Sequence, residues 1–274
     1  MNRPISVRRR LAVATWRPSR DGRIYTRICV DVTPVRAYIA DVRARVGERV
    51  TLTHVVGAAL GRCVAAVPEI RARVVLGRII AHPTCDIGFA VDVAGDDLAP
   101  VQVRSVERLT PLEVARQVTH GAARLRAGDD HRHNRSSSIV RRTPAWLMRP
   151  MLAATGVLVG GLGVAALGQP GFPLGSAFVS NVGTLGLDEA FLAPLPFARV
   201  PLYLAIGAVR ETPAVVDGTV VAQPQVVLVA TADHRLVDGS HAGRVTTLLR
   251  QLLAEPSLLD VPWSASPLSM RGAL

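Results

Sequence analysis

Lysine is absent from this chain, and all 32 basic residues are arginine. No ε-amine is therefore present to form a Schiff base, to serve as a P-loop lysine, or to carry lipoate or biotin. Cysteine is scarce as well. Cys29, Cys63 and Cys85 are isolated and odd in number, which suits a reducing compartment better than a disulfide framework. Aromatic residues make up only 4%, which leaves little to stack on nucleic-acid bases. There is no zinc-finger spacing and no RNA-binding signature, so nucleic acid is not an expected partner. The N-terminus is basic, but no apolar stretch follows Arg8-Arg9-Arg10. No secretory signal is expected, and the expected location is the cytoplasm.

Hydrophobic residues make up 49% of the 274 and charged residues 19%, so the chain can bury a core as one large domain or two small ones. The formal net charge of +11 can draw in nucleic acid, anionic lipid or an acidic partner. The positive residues are spread along the chain, with runs only at Arg8-Arg9-Arg10 and Arg141-Arg142. That distribution reads as a solvated, Arg-rich surface. From Pro150 to Leu187 no residue is charged, and Met151 to Gly168 is small, apolar and Gly-rich. A membrane-spanning helix needs about 20 apolar residues. This run is bounded by Arg149 and Pro170, and a soluble pattern resumes after it, which predicts a buried or interfacial helix. Arg141, Arg142, Arg149 and Trp146 keep a membrane-surface contact through 141–168 open as an alternative.

Hydrophobic periodicity predicts a strand over 24–32, a helix over 34–46, and a helix opening at Thr53. The last would bury Val56, Ala59, Leu60, Cys63, Val64 and Val67 and close at Pro68. Strands follow near 74–81, 87–93 and 98–104. Thr110-Pro111-Leu112-Glu113 has a capping threonine, proline at the first helical position and glutamate at the third, and predicts a helix to about Arg126. A polar loop follows over 128–143. Asp217-Gly218 between two valine runs predicts a tight hairpin. Gln225 to Ala232 reads as a strand, and Gly239-Ser240 opens a last helix with Val245, Leu248, Leu249, Leu252 and Leu253 facing inward. The whole reads as a mixed α/β (α+β) chain with many antiparallel pairs.

The chemistry concentrates in Asp233-His234-Arg235-Leu236-Val237-Asp238-Gly239, between a buried strand and a helix start. Loops held by rigid elements commonly carry reactive groups. Histidine takes a proton near neutral pH. Asp238, four residues on, can order the loop, and Gly239 offers a tight backbone turn. A lone H-x-x-x-D pair of this kind is most often structural. The other histidines have plainer readings. His54 lies at a helix start, His82 at a strand end before Pro83, His120 on the capped helix, and His241 at the start of the last helix. His131 and His133 beside Asp129 and Asp130 lack a second anchor, so no metal site is expected.

Asp233 to Gly239 resembles the D-H-R-x-x-D-G signature of the acyltransferase component of 2-oxoacid dehydrogenase complexes. Phe178-Val179-Ser180-Asn181-Val182-Gly183 is similar to that family's T-I-S-N-L-G segment. Leu204-Ala205-Ile206-Gly207 followed by Pro213 to Gly218 resembles its I-L-A-V-G and P-V-V-x-D-G. Thr53-His54 through Ala72 is similar to its T-x-L-L helix, and Leu98-Ala99-Pro100-Val101 to its L-x-x-P-V. The likeness spans roughly residues 5–127 and 176–255, and residues 128–175 stand outside it.

The resemblance implies a chloramphenicol acetyltransferase-like two-layer sandwich with a mixed, largely antiparallel sheet. The chain is expected to be one catalytic domain over 1–274, and it departs from the family in a polar loop at 128–143, an apolar insertion at 145–175, and the expected lack of a lipoyl or subunit-binding domain. His234 is implied as the base that deprotonates a thiol, and Ser180 as the donor to a tetrahedral oxyanion. Asp238 would hold the loop, pairing with an arginine near Arg20, while Asp233, Arg235, Gly239 and Asn181 support the site. Coenzyme A is implied as a substrate, and any lipoyl group as carried by another protein, with no cofactor bound covalently. A homotrimer or larger assembly is implied, with sites at subunit interfaces. Two other functions stay open. One is a stand-alone acyl-CoA-dependent O- or N-acyltransferase of small molecules. The other is a non-catalytic assembly or membrane-surface subunit with the same fold.

Overall fold

The computed structural model describes residues 22–93, 98–127, 143–166 and 169–263. Nine strands are present among them: β1 (Arg23–Asp31), β2 (Ala72–Val75), β3 (Arg78–Ala81), β4 (Ile87–Asp92), β5 (Leu98–Val103), β6 (Ala177–Asn181), β7 (Leu202–Ile206), β8 (Arg210–Val216) and β9 (Thr219–Asp233). Five α-helices accompany them: α1 (Thr33–Val46), α2 (Leu52–Ala66), α3 (Pro111–Arg126), α4 (Ala145–Thr155) and α5 (Gly239–Ala254).

The main sheet runs β1-β9-β7-β6-β4-β5, and β8 extends it by pairing with the first half of β9. β6 is parallel to β4 and to β7, and the other pairs are antiparallel. The mixed, largely antiparallel sheet of the resemblance is thus present. Alternation along the strands separates two faces. One face packs on α1, α2, α3 and α5 through residues such as Val179, Leu204, Leu228, Leu60 and Leu252. Each such aliphatic side chain contributes about 1.5–3 kcal/mol when fully buried. The other face is covered by the segment after β6, through small clusters around Tyr203 with Val200 and around Ala205 with Val182 and Val229.

Two elements differ from the sequence expectation. The helix expected at Thr53 opens at Leu52, with Thr51 as N-cap. The cap is made by histidine: the Thr51 N–H donates to His54 Nδ1 at 3.2 Å, a role usually taken by Glu or Gln. The strand expected over 74–81 is a hairpin, β2–β3, turning at Leu76-Gly77, both with positive φ. The other turns match. Asp217 (φ 49°) and Gly218 (φ 79°) close β8–β9, as a type I′ turn requires. Thr110 and Glu113 form their capping box on α3.

The charge-free stretch is short as a helix. α4 ends at Thr155 and continues as one π-helical turn, Gly156–Gly161. Among the described residues no helix is long and apolar enough to cross a membrane. Two arginines clamp this turn. Arg73 Nε donates to Gly161 O at 2.7 Å, and Arg199 Nε to Gly156 O at 2.7 Å. Arg199 also donates to Val74 O. Gly160 allows the close approach, since a Cβ there would lie 2.0 Å from Phe197 O. Arg141, Arg142 and most of the 128–143 loop lie outside the described residues.

Two buried histidines carry a pH consequence. Burial, then the charge of Arg49, pushes His54 down to about 4. Burial, then Arg73 and Arg71, pushes His82 down to about 4. The unfolded chain takes both protons near the ordinary value of 6.5. Between those values the unfolded state holds more protons, so stability falls as pH is lowered from about 6.5 to about 4 and declines no further from this source below it. His54→Gln keeps an acceptor at the cap and removes one titration. Its urea midpoints at pH 7 and pH 4.5 should lie closer together than those of the parent.

Candidate active site

The Asp233–Gly239 loop continues β9 and leads into α5. His234 N donates to Gly22 O at 3.1 Å, and Asp233 N to Pro201 O at 3.0 Å. The β1–β9 ladder therefore runs on to His234, and the ring emerges, exposed, at the sheet's end. His234 Nδ1 lies 2.8 Å from Val237 O. A carbonyl oxygen only accepts, so Nδ1 carries the hydrogen and Nε2 keeps the lone pair. That is the form a general base must take.

Asp238 is the N-cap of α5. Its Oδ1 accepts from Ser240 N at 2.9 Å, Ser240 Oγ at 2.8 Å and His241 N at 3.1 Å. The bond from Ser240, then that from the His241 N–H, holds this carboxyl well below the usual range. His241 Nδ1 lies 2.7 Å from Asp238 Oδ1 and 3.2 Å from the Asp238 N–H. One nitrogen cannot donate and accept together, so the two contacts belong to different protonation forms of His241. Asp238 thus caps α5, while Arg20, its expected partner region, lies outside the described residues.

Arg235 grips Asp233 through Nε at 2.9 Å and Nη2 at 2.5 Å, a fork-like pair across the loop. Gly239 departs from its expected role. It is the first residue of α5, has no positive φ, and nothing lies within 4 Å of an added Cβ. The turn is made by the Asp238 cap instead.

Ser180 stands near the C-terminal end of β6. Its neighbours Ala177 and Val179 point into the helix-side core, so alternation puts Ser180 on the opposite face. Its side chain is half-buried and has no hydrogen-bond partner among the described residues. Asn181 points the other way, and its Nδ2 donates to Thr53 Oγ1 at 2.8 Å, tying β6 to the start of α2.

The register sets His234 and Ser180 apart. Ser180 pairs with Ala205, and Ala205 with Val229. His234 lies five positions beyond Val229 on the same strand line. Five residues at about 3.3 Å each, and two strand spacings of about 4.8 Å, separate the backbones by roughly 19 Å. Within one copy, imidazole and hydroxyl cannot meet on one substrate atom. The N-termini of β4, β6 and β7 and the C-terminus of β9 gather at the histidine end. Ser180, Asn181 and Ile206 lie at the serine end.

The remaining candidates separate cleanly. Burial pushes the Cys63 and Cys85 thiols up, away from the thiolate form a nucleophile needs. Among the described residues no group of three or more His, Cys, Asp or Glu side chains converges. His131, His133, Asp129 and Asp130 lie outside them. Sequence reasoning missed the Val237 carbonyl and the His241 cap. Main-chain groups carry no residue-type signal, whereas histidine at the third helical position after Asp238 was a readable variant of the capping box.

The family model for 2-oxoacid dehydrogenases acyltransferase (catalytic domain) matches residues 18–138 and 171–261. A similar relative is the dihydrolipoyllysine-residue acetyltransferase component of the acetoin cleaving system of Bacillus subtilis. It is 26% identical over 216 residues, which cover 78% of this chain and 44% of that protein. This chain therefore spans less than half of that relative's length. Among solved structures, the dihydrolipoamide acetyltransferase of Azotobacter vinelandii, studied for the role of a serine, a histidine and an asparagine in its catalytic mechanism, matches with a TM-score of 0.65. It is 18% identical, with 88% of this chain and 85% of that chain covered. The cubic core of a pyruvate dehydrogenase multienzyme complex matches with a TM-score of 0.67 and 18% identity, covering 95% and 94%. At these identities the structural matches establish the fold.

Proposed function

This chain belongs to the 2-oxoacid dehydrogenase acyltransferase (catalytic domain) family, and from that membership we propose that it moves acyl groups between coenzyme A and the thiol of dihydrolipoamide. His234 Nε2 takes the proton from the attacking thiol. The thiolate adds to the thioester carbonyl, and the carbonyl pair moves onto oxygen. The Ser180 hydroxyl of a second copy donates to that oxyanion. Collapse of the intermediate expels the other thiolate, which regains the proton from the imidazolium. No acyl-enzyme forms, because the acceptor attacks directly.

The observation that carries this reading is the 2.8 Å contact between His234 Nδ1 and Val237 O, which leaves Nε2 as the proton acceptor. Asp238 serves by capping α5, which holds Val237 in place beneath the ring. The Asp233–Arg235 pair stiffens the loop, and the Asn181–Thr53 bond sets the end of β6 beside Ser180. Residue types studied in the Azotobacter mechanism, a serine and a histidine, are the types that Ser180 and His234 supply here. Residues 1–274 contain no lysine, so the lipoyl group is borne on a separate lipoyl domain. Residues 1–274 act as one catalytic domain with an apolar insertion at 145–175, in the cytoplasm.

The roughly 19 Å between the two ends of the sheet supports a complete site shared between copies. The contact joining a histidine end to a serine end uses different surfaces on each copy. Such a heterologous contact closes into a ring when its rotation permits. We assign a homotrimer, alone or as the unit of a larger cage. The deciding experiment is a thiol-release screen over acyl-CoA donors, with and without dihydrolipoamide. Release that requires dihydrolipoamide is expected. Release only with hydroxyl or amine acceptors would transfer the assignment to a small-molecule acyltransferase. No release with any donor and acceptor would leave the fold without the activity.

A further inference from the structure

We infer that His241, held by Glu69, is a positioning residue for His234, acting through the single peptide group that joins Val237 to Asp238. The effect on rate rests on the acyl-transfer reading above, and the effect on the imidazole rests on geometry alone. The D-H-R-L-V-D-G segment ends at Gly239, two residues before His241, so the resemblance gives His241 no role.

The oxygen and the N–H of one peptide bond lie in one plane and move together. Here an imidazole holds each of them. The Val237 oxygen accepts from His234 Nδ1 at 2.8 Å, and the Asp238 N–H donates to His241 Nδ1 at 3.2 Å. Hydrogen bonds linked in a chain polarise one another. The His241 contact therefore acts on His234 in two ways. It stops the Val237–Asp238 plane from turning its oxygen away from the ring, and it makes that oxygen a better acceptor for the Nδ1 hydrogen. Both effects keep the lone pair of His234 on Nε2.

His241 Nδ1 accepts from Asp238 only while the hydrogen of its own ring sits on Nε2. Glu69 favours that form. It stands on the short turn Pro68–Arg71 after α2, far from α5 in the chain, and its Oε1 lies 3.7 Å from His241 Nε2. A carboxylate there attracts an N–H and repels a lone pair. A bond from its own main-chain N–H holds the Glu69 carboxyl below its ordinary range, with Arg244 adding to it. Arg244 Nη2 lies 3.5 Å from Glu69 Oε2 and anchors it from the next turn of α5. The His241 side chain is only 18% exposed, so the ring is fixed between its contacts. A second proton on His241 would turn Nδ1 toward Asp238 Oδ1, 2.7 Å away, and take the acceptor from the Asp238 N–H.

The chain caps a helix with an imidazole twice. At α2 the Thr51 N–H donates to His54 Nδ1, also at 3.2 Å. That ring is buried beside the charge of Arg49, and its cap serves the helix. The His241 cap differs in facing a carboxylate and in sharing its peptide with His234.

The test compares the full-length parent with His241→Ala, His241→Gln and Glu69→Ala. Each is read for kcat, the KM for acyl-CoA, circular dichroism and the nitrogen-15 shifts of the His234 ring, which are assigned by their loss in His234→Ala. His241→Ala should lower kcat by about three- to tenfold, the scale of one lost hydrogen bond, with KM little changed. His241→Gln should recover most of that loss, because glutamine at the third helical position accepts from the same N–H. Glu69→Ala should lower kcat in the parent and have no further effect in the His241→Gln chain, since an amide has no tautomer for Glu69 to select. The His234 hydrogen should shift toward Nε2 in His241→Ala and in Glu69→Ala, and stay on Nδ1 in His241→Gln. Unchanged kcat and an unchanged His234 ring in His241→Ala would overturn the inference. So would a His241→Gln chain that loses as much kcat as His241→Ala. Should His241→Ala fail to fold, Glu69→Ala and its combination with His241→Gln decide the same question. A parent that releases no thiol with any donor and acceptor overturns the acyl-transfer reading instead, and the His234 shifts still decide the inference.

Discussion

His234→Ala should lower kcat for acyl transfer by about 10²–10⁴-fold, the contribution of a positioned general base. The ring is exposed and its hydrogen bond to Val237 O is a loop contact, so the variant should keep the parent's circular dichroism and its sedimentation. Loss should fall on kcat, with the KM for acyl-CoA little changed. Without help an alkyl thiol ionises only in the alkaline range, at or above the value of about 8.5 for a cysteine side chain. Residual turnover in the variant should therefore climb as pH approaches that value, because solvent then supplies the thiolate that the imidazole would have made. Turnover equal to the parent's at pH 7 would remove His234 from the mechanism and leave D-H-R-L-V-D-G as a structural loop.

Ser180→Ala is the second large effect. A single oxyanion donor contributes about 10²–10³ in kcat, and the fall should again spare the KM for coenzyme A. A drop confined to KM would make Ser180 a binding residue. The two variants together probe the division of the site. In the shared site proposed above, the imidazole comes from one copy and the hydroxyl from a neighbour. In a random ring built from equal amounts of His234→Ala and Ser180→Ala chains, about one site in four pairs an intact imidazole with an intact hydroxyl. Co-refolded or co-expressed chains should thus regain about a quarter of the parental turnover, although each variant alone is nearly inactive. A mixture no more active than its parts would place both groups on the same copy, against the register of β6, β7 and β9.

Much of this was legible before any fold was known. Local signals carried the elements: Thr110 and Glu113 as a box, Asp217-Gly218 as a turn, and the valine-rich run of β9. The helix start at Leu52 was missed because threonines at 51 and 53 offer the same cap chemistry, and only the position of His54 decides between them. The β2–β3 hairpin was missed because Leu76 at the turn is a residue that seldom adopts positive φ. At the site, the resemblance singled out His234, Asp238 and Ser180 as candidates, while Gly239, expected to turn the backbone tightly, is the first residue of a helix that Asp238 caps.

The sequence alone determined which chemistry this chain can carry: an imidazole, a carboxylate and a hydroxyl in a recognisable order, and no lysine to bear a lipoyl group. Residue types and short-range spacing suffice for that, because capping, turns and strand alternation act over a few residues. The tertiary structure decided where those groups stand. Which nitrogen of His234 holds its hydrogen depends on a main-chain carbonyl three residues on, and a carbonyl has no residue-type signature. That His234 and Ser180 sit at opposite ends of one sheet depends on the pairing of β6, β7 and β9. Pairing joins residues far apart in the chain, and its register is set by burial of one face against the helices.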